Sequence, residues 1–506
     1  MISNRSFTVI FFALISIIVL LITAQRLDQW DSNGGHYHTG EFSQHVAVNT
    51  SGAATESLES ISTGPTSIPA PELEQNLAPT IHGLQSQRPA HDPICEGFPD
   101  TSGILLIMKT GATESFDKLP TQLITTLRCL PDFLLFSDLD QHIAGYRVRD
   151  SLETVLDTAK DGNADFDLYR QQKDCVIDQE MCAKNVEGAQ GAGWNLDKYK
   201  NIHMAEKALR LRPRYDWYFF VDADTYVSWP NMVQMLRKLD PTRPRFLGSP
   251  TMIGDHVFAH GGSGYVVSSA AMKEFVGQNP GIANKYDERV KDVCCGDYMF
   301  AISLQDTIGL KVESLWPLIN GEKPSTFPFG DGHWCNPVST MHHMGSEEVS
   351  AFWEFERKRY VKTHEPLLMM EVYNEYFKPK LVPVREDWDN RSDNWYYVDL
   401  NSPDHEWEDW RIGRSTKEEN KSELQKLAHL SADDCARACE EHKDCFQYAF
   451  SNDCCGMKSK FELGKPMKRE QEEKKRIISG WDIAKIEQFI ERQGECEEVV
   501  WPNLSP

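Results

Sequence analysis

Trp217-Tyr-Phe-Phe-Val-Asp-Ala-Asp-Thr-Tyr-Val227 is an apolar β-type run that ends in two carboxylates, Asp222 and Asp224, one small residue apart. Its bulky residues, Trp217 to Val221, suit a strand buried on both faces of a mostly parallel sheet. In such sheets ligands collect at the carboxyl ends of the strands. Two acids there are unfavourable to bury unless something neutralises them. A divalent cation does so, and hard oxygen ligands suit Mg²⁺ or Mn²⁺, metals that also hold phosphates. The plainer alternative is a strand end entering an Asp-rich turn, with Asp224 capping the next segment.

Around this strand the chain has the rhythm of an α/β domain. Ile104 to Met108 reads as a buried strand, about Ser115 to Leu127 as a helix, and Phe133 to Phe136 as a second strand ending in Ser137-Asp138. Helical spacing runs from Asn201 to Leu211, and Pro213 stops it just before the acidic strand. Gly261-Gly-Ser-Gly-Tyr-Val-Val267 is a small-residue loop entering an apolar segment, and Ser268 or Ser269 caps a helix over Ala270 to Val276.

The 506-residue chain is too long for one ordinary core, so several domains are expected. Its net charge of −23 argues against nucleic acid as a partner, since phosphate neutralisation needs a basic face. Phe7 to Ala24 is apolar except for Thr8, Ser16 and Thr23, and spans roughly 27 Å as a helix, enough to cross a bilayer. It is read as an uncleaved signal anchor, the rival being a cleaved signal peptide. Thirteen cysteines without a zinc spacing imply an oxidising compartment, and their odd number leaves at least one outside internal pairing. Sequons at Asn49, Asn390, Asn420 and Asn503 are permissive for glycosylation. The expected layout is a cytosolic tail (1–6), a membrane span (7–24), a flexible Ser/Thr/Gly/Pro-rich stem (25–91), a catalytic α/β domain (92–382), an acidic and aromatic connector (383–421) and a cysteine-rich module (422–506). That topology is type II in the Golgi or ER membrane, with the body in the lumen.

Four segments taken in order carry a resemblance: Asp222-Ala-Asp224, Gly261-Gly-Ser-Gly-Tyr265, Lys291-Asp-Val-Cys-Cys-Gly-Asp297 and Met341-His-His-Met344. Over about residues 100 to 365 the chain resembles the inverting family of β1,3-galactosyltransferases, Fringe proteins and core 1 galactosyltransferases, nearest to the core 1 branch and its fungal relatives. The resemblance implies a GT-A fold, a doubly wound α/β sheet that binds a UDP-sugar through Mn²⁺ or Mg²⁺. By position it implies Asp222 and Asp224 as the metal motif, completed by His343 ahead of His342. It implies a base at Asp292, four residues before Gly296. Lys291 departs from the family's usual Glu, and the second acid at Asp297 leaves the base open between Asp292 and Asp297. Lys109, Thr110, Gly111 and Asp138, with Asp222, Gly261, Gly262 and Gly264, occupy positions where the family's nucleotide sugar lies. The expected reaction moves a hexose, galactose first, in β1,3 linkage onto a glycan or glycoprotein; UDP-GlcNAc or UDP-glucose as donor, or a non-catalytic glycan-binding role, are the alternatives. Trp334 and Trp353 are candidate aromatic faces for an acceptor sugar, and core packing is the plainer role for both.

The C-terminal stretch, about Leu424 to Gln493, resembles a small α+β PAN/Apple module through Cys435-x-x-x-Cys439, Cys445-x-Gln447, Cys454, Phe461-x-Leu-Gly464 and Ser479-Gly-Trp481. Such modules bind protein or carbohydrate.

Overall fold

The computed structural model describes residues 92–184, 189–400 and 407–504. The expected membrane span and stem lie outside the described residues, and so does the sequon at Asn49. Among the described residues no helix is long and apolar enough to cross a membrane.

The first half contains β1 (Ile104–Lys109), α1 (Ser115–Ile124), β2 (Phe133–Ser137), β3 (Gln141–Ile143), β4 (Tyr146–Asp150), α2 (Lys200–Leu211), β5 (Trp217–Asp222), β6 (Tyr226–Val227), β7 (Phe246–Gly248), β8 (Tyr265–Ser268), α3 (Gly296–Ile308), β9 (Val312–Ser314), β10 (Thr340–Met341) and α4 (Ser346–Thr363). Eight of these strands form one sheet in the order β9-β7-β8-β5-β1-β2-β4-β3. The run β5-β1-β2-β4 is parallel, while β8 is antiparallel to both its neighbours.

Alternation along the central strands divides their side chains between two cores. Leu105, Ile107, Tyr218 and Phe220 face one side, against Ala205 and Ala208 of α2 and Phe300 of α3. Leu106, Met108, Phe219 and Val221 face the other, against Leu119 and Leu123 of α1 and Trp229. That double burial explains the unbroken apolar reading of both strands. It also forces the first polar residues, Lys109 and Asp222, to emerge together, since they are register partners at the carboxyl ends of β1 and β5.

The second sheet is antiparallel, in the order β11-β15-β13-β14-β12, built from β11 (Val384–Glu386), β12 (Trp395–Tyr397), β13 (Gln447–Ser451), β14 (Cys454–Lys458) and β15 (Ile478–Trp481). Two of its strands come from the stretch 383–421. Helix α5 (Ala432–Glu441) is stapled to it by Cys435–Cys455, while Cys439–Cys445 closes the following turn. The face of α5 that bears both cysteines is buried, as their i, i+4 spacing requires. The remaining disulfides are Cys95–Cys129, Cys175–Cys182, Cys294–Cys295 and Cys335–Cys496, which leaves Cys454 as a free, buried thiol. Asn390 is fully buried and its amide donates to the Tyr448 and Gly480 carbonyls, so that sequon is inaccessible in the folded chain. Asn420 and Asn503 are exposed.

The two halves share a core. Phe461, Leu463, Trp481 and, from α6 (Ile483–Gln493), Ile486 and Phe489 pack with Phe327, Phe329, Trp334, Phe352, Trp353 and Phe377. Trp334 and Trp353 are therefore interior residues rather than open platforms. Cys335–Cys496 ties the halves covalently across 161 residues of sequence. Full burial of one such side chain contributes roughly 1.5–3 kcal/mol. Five together rival the whole stability of a typical domain, about 5–15 kcal/mol. Phe461, fully buried, has five aromatic rings within 6.0 Å, those of Phe329, Tyr373, Phe377, Phe446 and Phe489. Phe461→Ala should cost about 3–5 kcal/mol in denaturant unfolding. It should also destabilise the first half rather than the second sheet alone; an unchanged midpoint would refute the shared core.

Candidate active site

Past β5 the chain turns through Ala223 and Asp224 into β6, which pairs antiparallel with β10: Tyr226 opposes Met341 and Val227 opposes Thr340. The Met344 amide donates to the Asp224 carbonyl at 2.9 Å. This pairing brings Asp224 to the histidines that follow β10. His342 Nε2 lies 3.3 Å from Asp224 Oδ1, and one ligand atom from each of Asp224, His342 and His343 falls within 4.8 Å of the others.

The donor set fits a divalent metal. His342 Nδ1 is buried without a hydrogen-bond partner, and the carboxylate stands beside two imidazoles. Desolvation, then the charge of His342, push His343 down to about 4, so its ring stays neutral and able to ligate. Burial alone would raise Asp224, but His342 and Lys118 hold it well below the usual carboxylate range. Two imidazoles with one carboxylate can together ligate a divalent cation. The glycine loop is shaped around the same ring: a β-carbon on Gly262 would lie 2.2 Å from His342 Cε1. Gly264 has φ +86°, and a β-carbon there would meet Phe219, Val221 and the Phe220 carbonyl at 3.1–3.2 Å.

Asp222 faces a different partner. Lys109 Nζ sits 2.8 Å from Asp222 Oδ1 and 2.7 Å from Asp197 Oδ2, and Lys200 Nζ adds a contact of 3.4 Å to Asp197. Burial opposes the charge on Lys109, but the two carboxylates outweigh it and raise its pKa. The Thr110 carbonyl accepts from Lys200 at 3.0 Å, and the Gly111 amide donates to Glu114 at 3.3 Å. Asp138 is fully buried; it accepts from the Ala112 amide and, at 3.2 Å, from Gln172. It shapes the Thr110–Ala112 turn from beneath.

The two candidate bases part company. Asp292 is exposed in the turn before α3. Asp297, in the first turn of α3, accepts from the Gly261 amide at 2.6 Å and from the Tyr298 amide at 2.8 Å. Burial raises its pKa against the opposing effect of the Gly261 amide and His260. His260 bonds Ser263 Oγ through Nδ1 at 2.7 Å, and its ring centroid lies 5.6 Å from that of His342. Gly261 thus touches Asp297 while Gly262 touches His342, and the base candidate and metal candidates flank one loop.

Lys118, Glu114, Asp197 and His260 are additions to the residues expected from sequence. Lys118 Nζ lies 3.2 Å from Asp224 and 2.9 Å from Glu114, an i, i+4 partner at the N-cap of α1. That spacing is visible in the sequence, although its target is not. His260 directly precedes the glycine run.

Beneath Asp224, Glu356 of α4 accepts from Tyr226 Oη and Ser228 Oγ. Burial outweighs both bonds and pushes Glu356 up to about 7 from an ordinary 4.5. The sign follows from linkage: the folded chain binds this proton more tightly than the unfolded one. Stability from this group is therefore full below about pH 4.5 and is lost as pH rises through 7, by at most about 3 kcal/mol. Glu356→Gln should flatten that slope in thermal unfolding between pH 5 and 8; an equal slope in both proteins would refute it.

Residues 148–306 match the family described as Fringe-like. The matched window runs from within β4 to within α3, so it contains Asp222, Asp224, Gly261 to Gly264, Asp292 and Asp297 and ends before the histidine pair. Members of that family are glycosyltransferases that use UDP-sugar donors, typically with a divalent metal. The chain is a glycosyltransferase with a Fringe-like region at residues 148–306.

Proposed function

We propose that this enzyme transfers a hexose, galactose first, from its UDP conjugate in β1,3 linkage and with inversion onto a glycan or glycoprotein acceptor. The observation that carries the reading is the loop Gly261–Gly262, with Asp297 on one side and the Asp224–His342–His343 group on the other. Asp297 is the base. Each of its oxygens gives one lone pair to a backbone amide and retains another for the acceptor hydroxyl. As the acceptor oxygen bonds to the anomeric carbon, its proton passes to Asp297 and the bond to UDP breaks with its electron pair on the diphosphate. A raised carboxyl pKa suits proton abstraction, which contributes roughly 10²- to 10⁴-fold. Asp224, His342 and His343 would hold Mn²⁺ (or Mg²⁺), which when bound supplies positive charge to the departing diphosphate. Lys109 and Lys118 supply fixed positive charge beside Asp222 and Asp224.

Six disulfides suit the secretory lumen. We place the enzyme in the Golgi or ER, anchored as a type II protein through residues 7–24. The C-terminal module, PAN/Apple-like in its cysteine pattern, is proposed to contact the acceptor glycoprotein.

UDP release by residues 92–506 with Mn²⁺, across UDP-galactose, UDP-GlcNAc and UDP-glucose, tests the reading. Turnover should be highest with UDP-galactose. Preference for another UDP-hexose would revise the donor, and release from none would point to a glycan-binding protein. Asp224→Asn should abolish Mn²⁺-dependent UDP binding while the thermal transition persists; full binding would remove Asp224 from the metal site. Asp297→Asn should bind UDP normally and lose roughly 10²- to 10⁴-fold in transfer. Asp292→Asn should stay within a few-fold of wild type, and the reverse pattern would move the base to Asp292.

A further inference from the structure

Arg391 lies outside the Fringe-like region, in the turn before β12, yet its guanidinium reaches the loop beside the candidate site. It makes a two-pronged ion pair with Glu322, at 2.7 Å to Oε2 and 3.1 Å to Oε1. The same group donates to the Thr326 carbonyl at 3.3 Å and lies 3.4 Å from Glu462 Oε2. Glu462 is fully buried and also paired with Lys458, so the guanidinium is anchored from the module side. A planar fork fixes orientation as well as distance.

Glu322 in turn fixes the backbone beside it. Its amide donates to Asn320 Oδ1 at 2.8 Å, and Asn320 donates to the Thr340 carbonyl of β10 at 2.6 Å. Gly321, between these two residues, is pressed against the catalytic loop: a β-carbon there would lie 3.0 Å from Ser263 Oγ and 3.1 Å from His260 Nδ1. Gly261, the residue after His260, donates its amide to Asp297 at 2.6 Å. A continuous set of contacts therefore runs from the module to the base.

We propose that Arg391 is a positioning residue of the transferase site, acting through Glu322 to hold Gly321 against His260 and Ser263. The inference rests on Asp297 and its loop being the reacting centre. It makes the module a working part of the site rather than an appendage, because the cation that sets the loop is supplied from beyond residue 382. Displacing a reacting group by about 1 Å costs on the order of 10²-fold in rate, so a loosened loop should be visible in turnover.

The test uses residues 92–506 with Arg391→Ala, Arg391→Lys, Glu322→Gln and the double variant Arg391→Ala/Glu322→Gln. Arg391→Ala should lower kcat about tenfold or more while the KM for the UDP-sugar stays within about twofold. Arg391→Lys should recover only part of kcat, since it keeps the charge and loses the fork. Glu322→Gln leaves the Arg391–Glu462–Lys458 cluster in place, so it remains informative if Arg391→Ala folds poorly, and it too should lower kcat. The double variant should be no worse than the poorer single one, because both break the same link. Hydrogen exchange should be faster at residues 320–323 in each single Ala or Gln variant. Wild-type turnover in Glu322→Gln, multiplicative losses in the double variant, or unchanged exchange at 320–323 would overturn the proposal. If the unaltered protein transfers no hexose at all, the functional reading fails, while the exchange measurement still decides whether the link holds the loop.

Discussion

The short pairing of Tyr226–Val227 with Thr340–Met341 is the interaction on which the rest of the site depends. It joins an acid from the end of one buried strand to two histidines more than a hundred residues later in the chain. Two residue pairs are too few to hold together alone, since even isolated hairpins are marginal in water. Their surroundings supply the stability. Tyr226 and Met341 are buried in the aromatic core, and Tyr226 and Ser228 both donate to the buried Glu356. The Ser228 amide adds a bond to the Ser339 carbonyl, at 2.6 Å. The metal candidates are thus positioned by packing and by a buried carboxyl beneath them.

That same core is why the two halves of the chain act as one body. Aromatic residues from α6 and β15 fill space left by the loops before β10 and by α4, and Cys335–Cys496 closes the join. The segment from residue 320 to 344 therefore has the glycine loop on one side and the module on the other. Glu322, Asn336 and Trp334 each bond across the boundary, to Arg391, Val500 and Gly494. Within this segment the exposed His343 has φ 59°, a left-handed conformation uncommon for such a residue.

Much of the fold was legible because its signals are local. Five bulky residues followed by acids specify a strand buried on both faces, and Ile104 to Met108 repeats the pattern beside it. The glycine run, Ser268 as a helix cap and the disulfide-rich C-terminus are likewise short-range statements. The parts that were not legible depend on pairings across long stretches of chain. Nothing near Asp222 in sequence says that Lys109 neutralises it, or that Asp138 turns inward to a backbone amide. Asp292 and Asp297 look alike as letters; only the Gly261 amide separates them, one being half-buried against it and the other exposed. The acidic, aromatic stretch 383–421 reads as a connector because β11 and β12 are short and their hydrogen-bonding partners lie far along the chain.

The unpaired Cys454 and its bonded neighbour Cys455 share β14, where consecutive side chains point to opposite faces. Only Cys455 meets α5, and Cys454 packs instead with Tyr396 and Val398. Strand parity therefore selects which of two adjacent sulfurs is oxidised. Burial then pushes the remaining thiol up to about 11, leaving almost no thiolate at neutral pH to attack the bridge beside it. The second sheet can thus carry an odd sulfur under oxidising conditions without exchanging its partners.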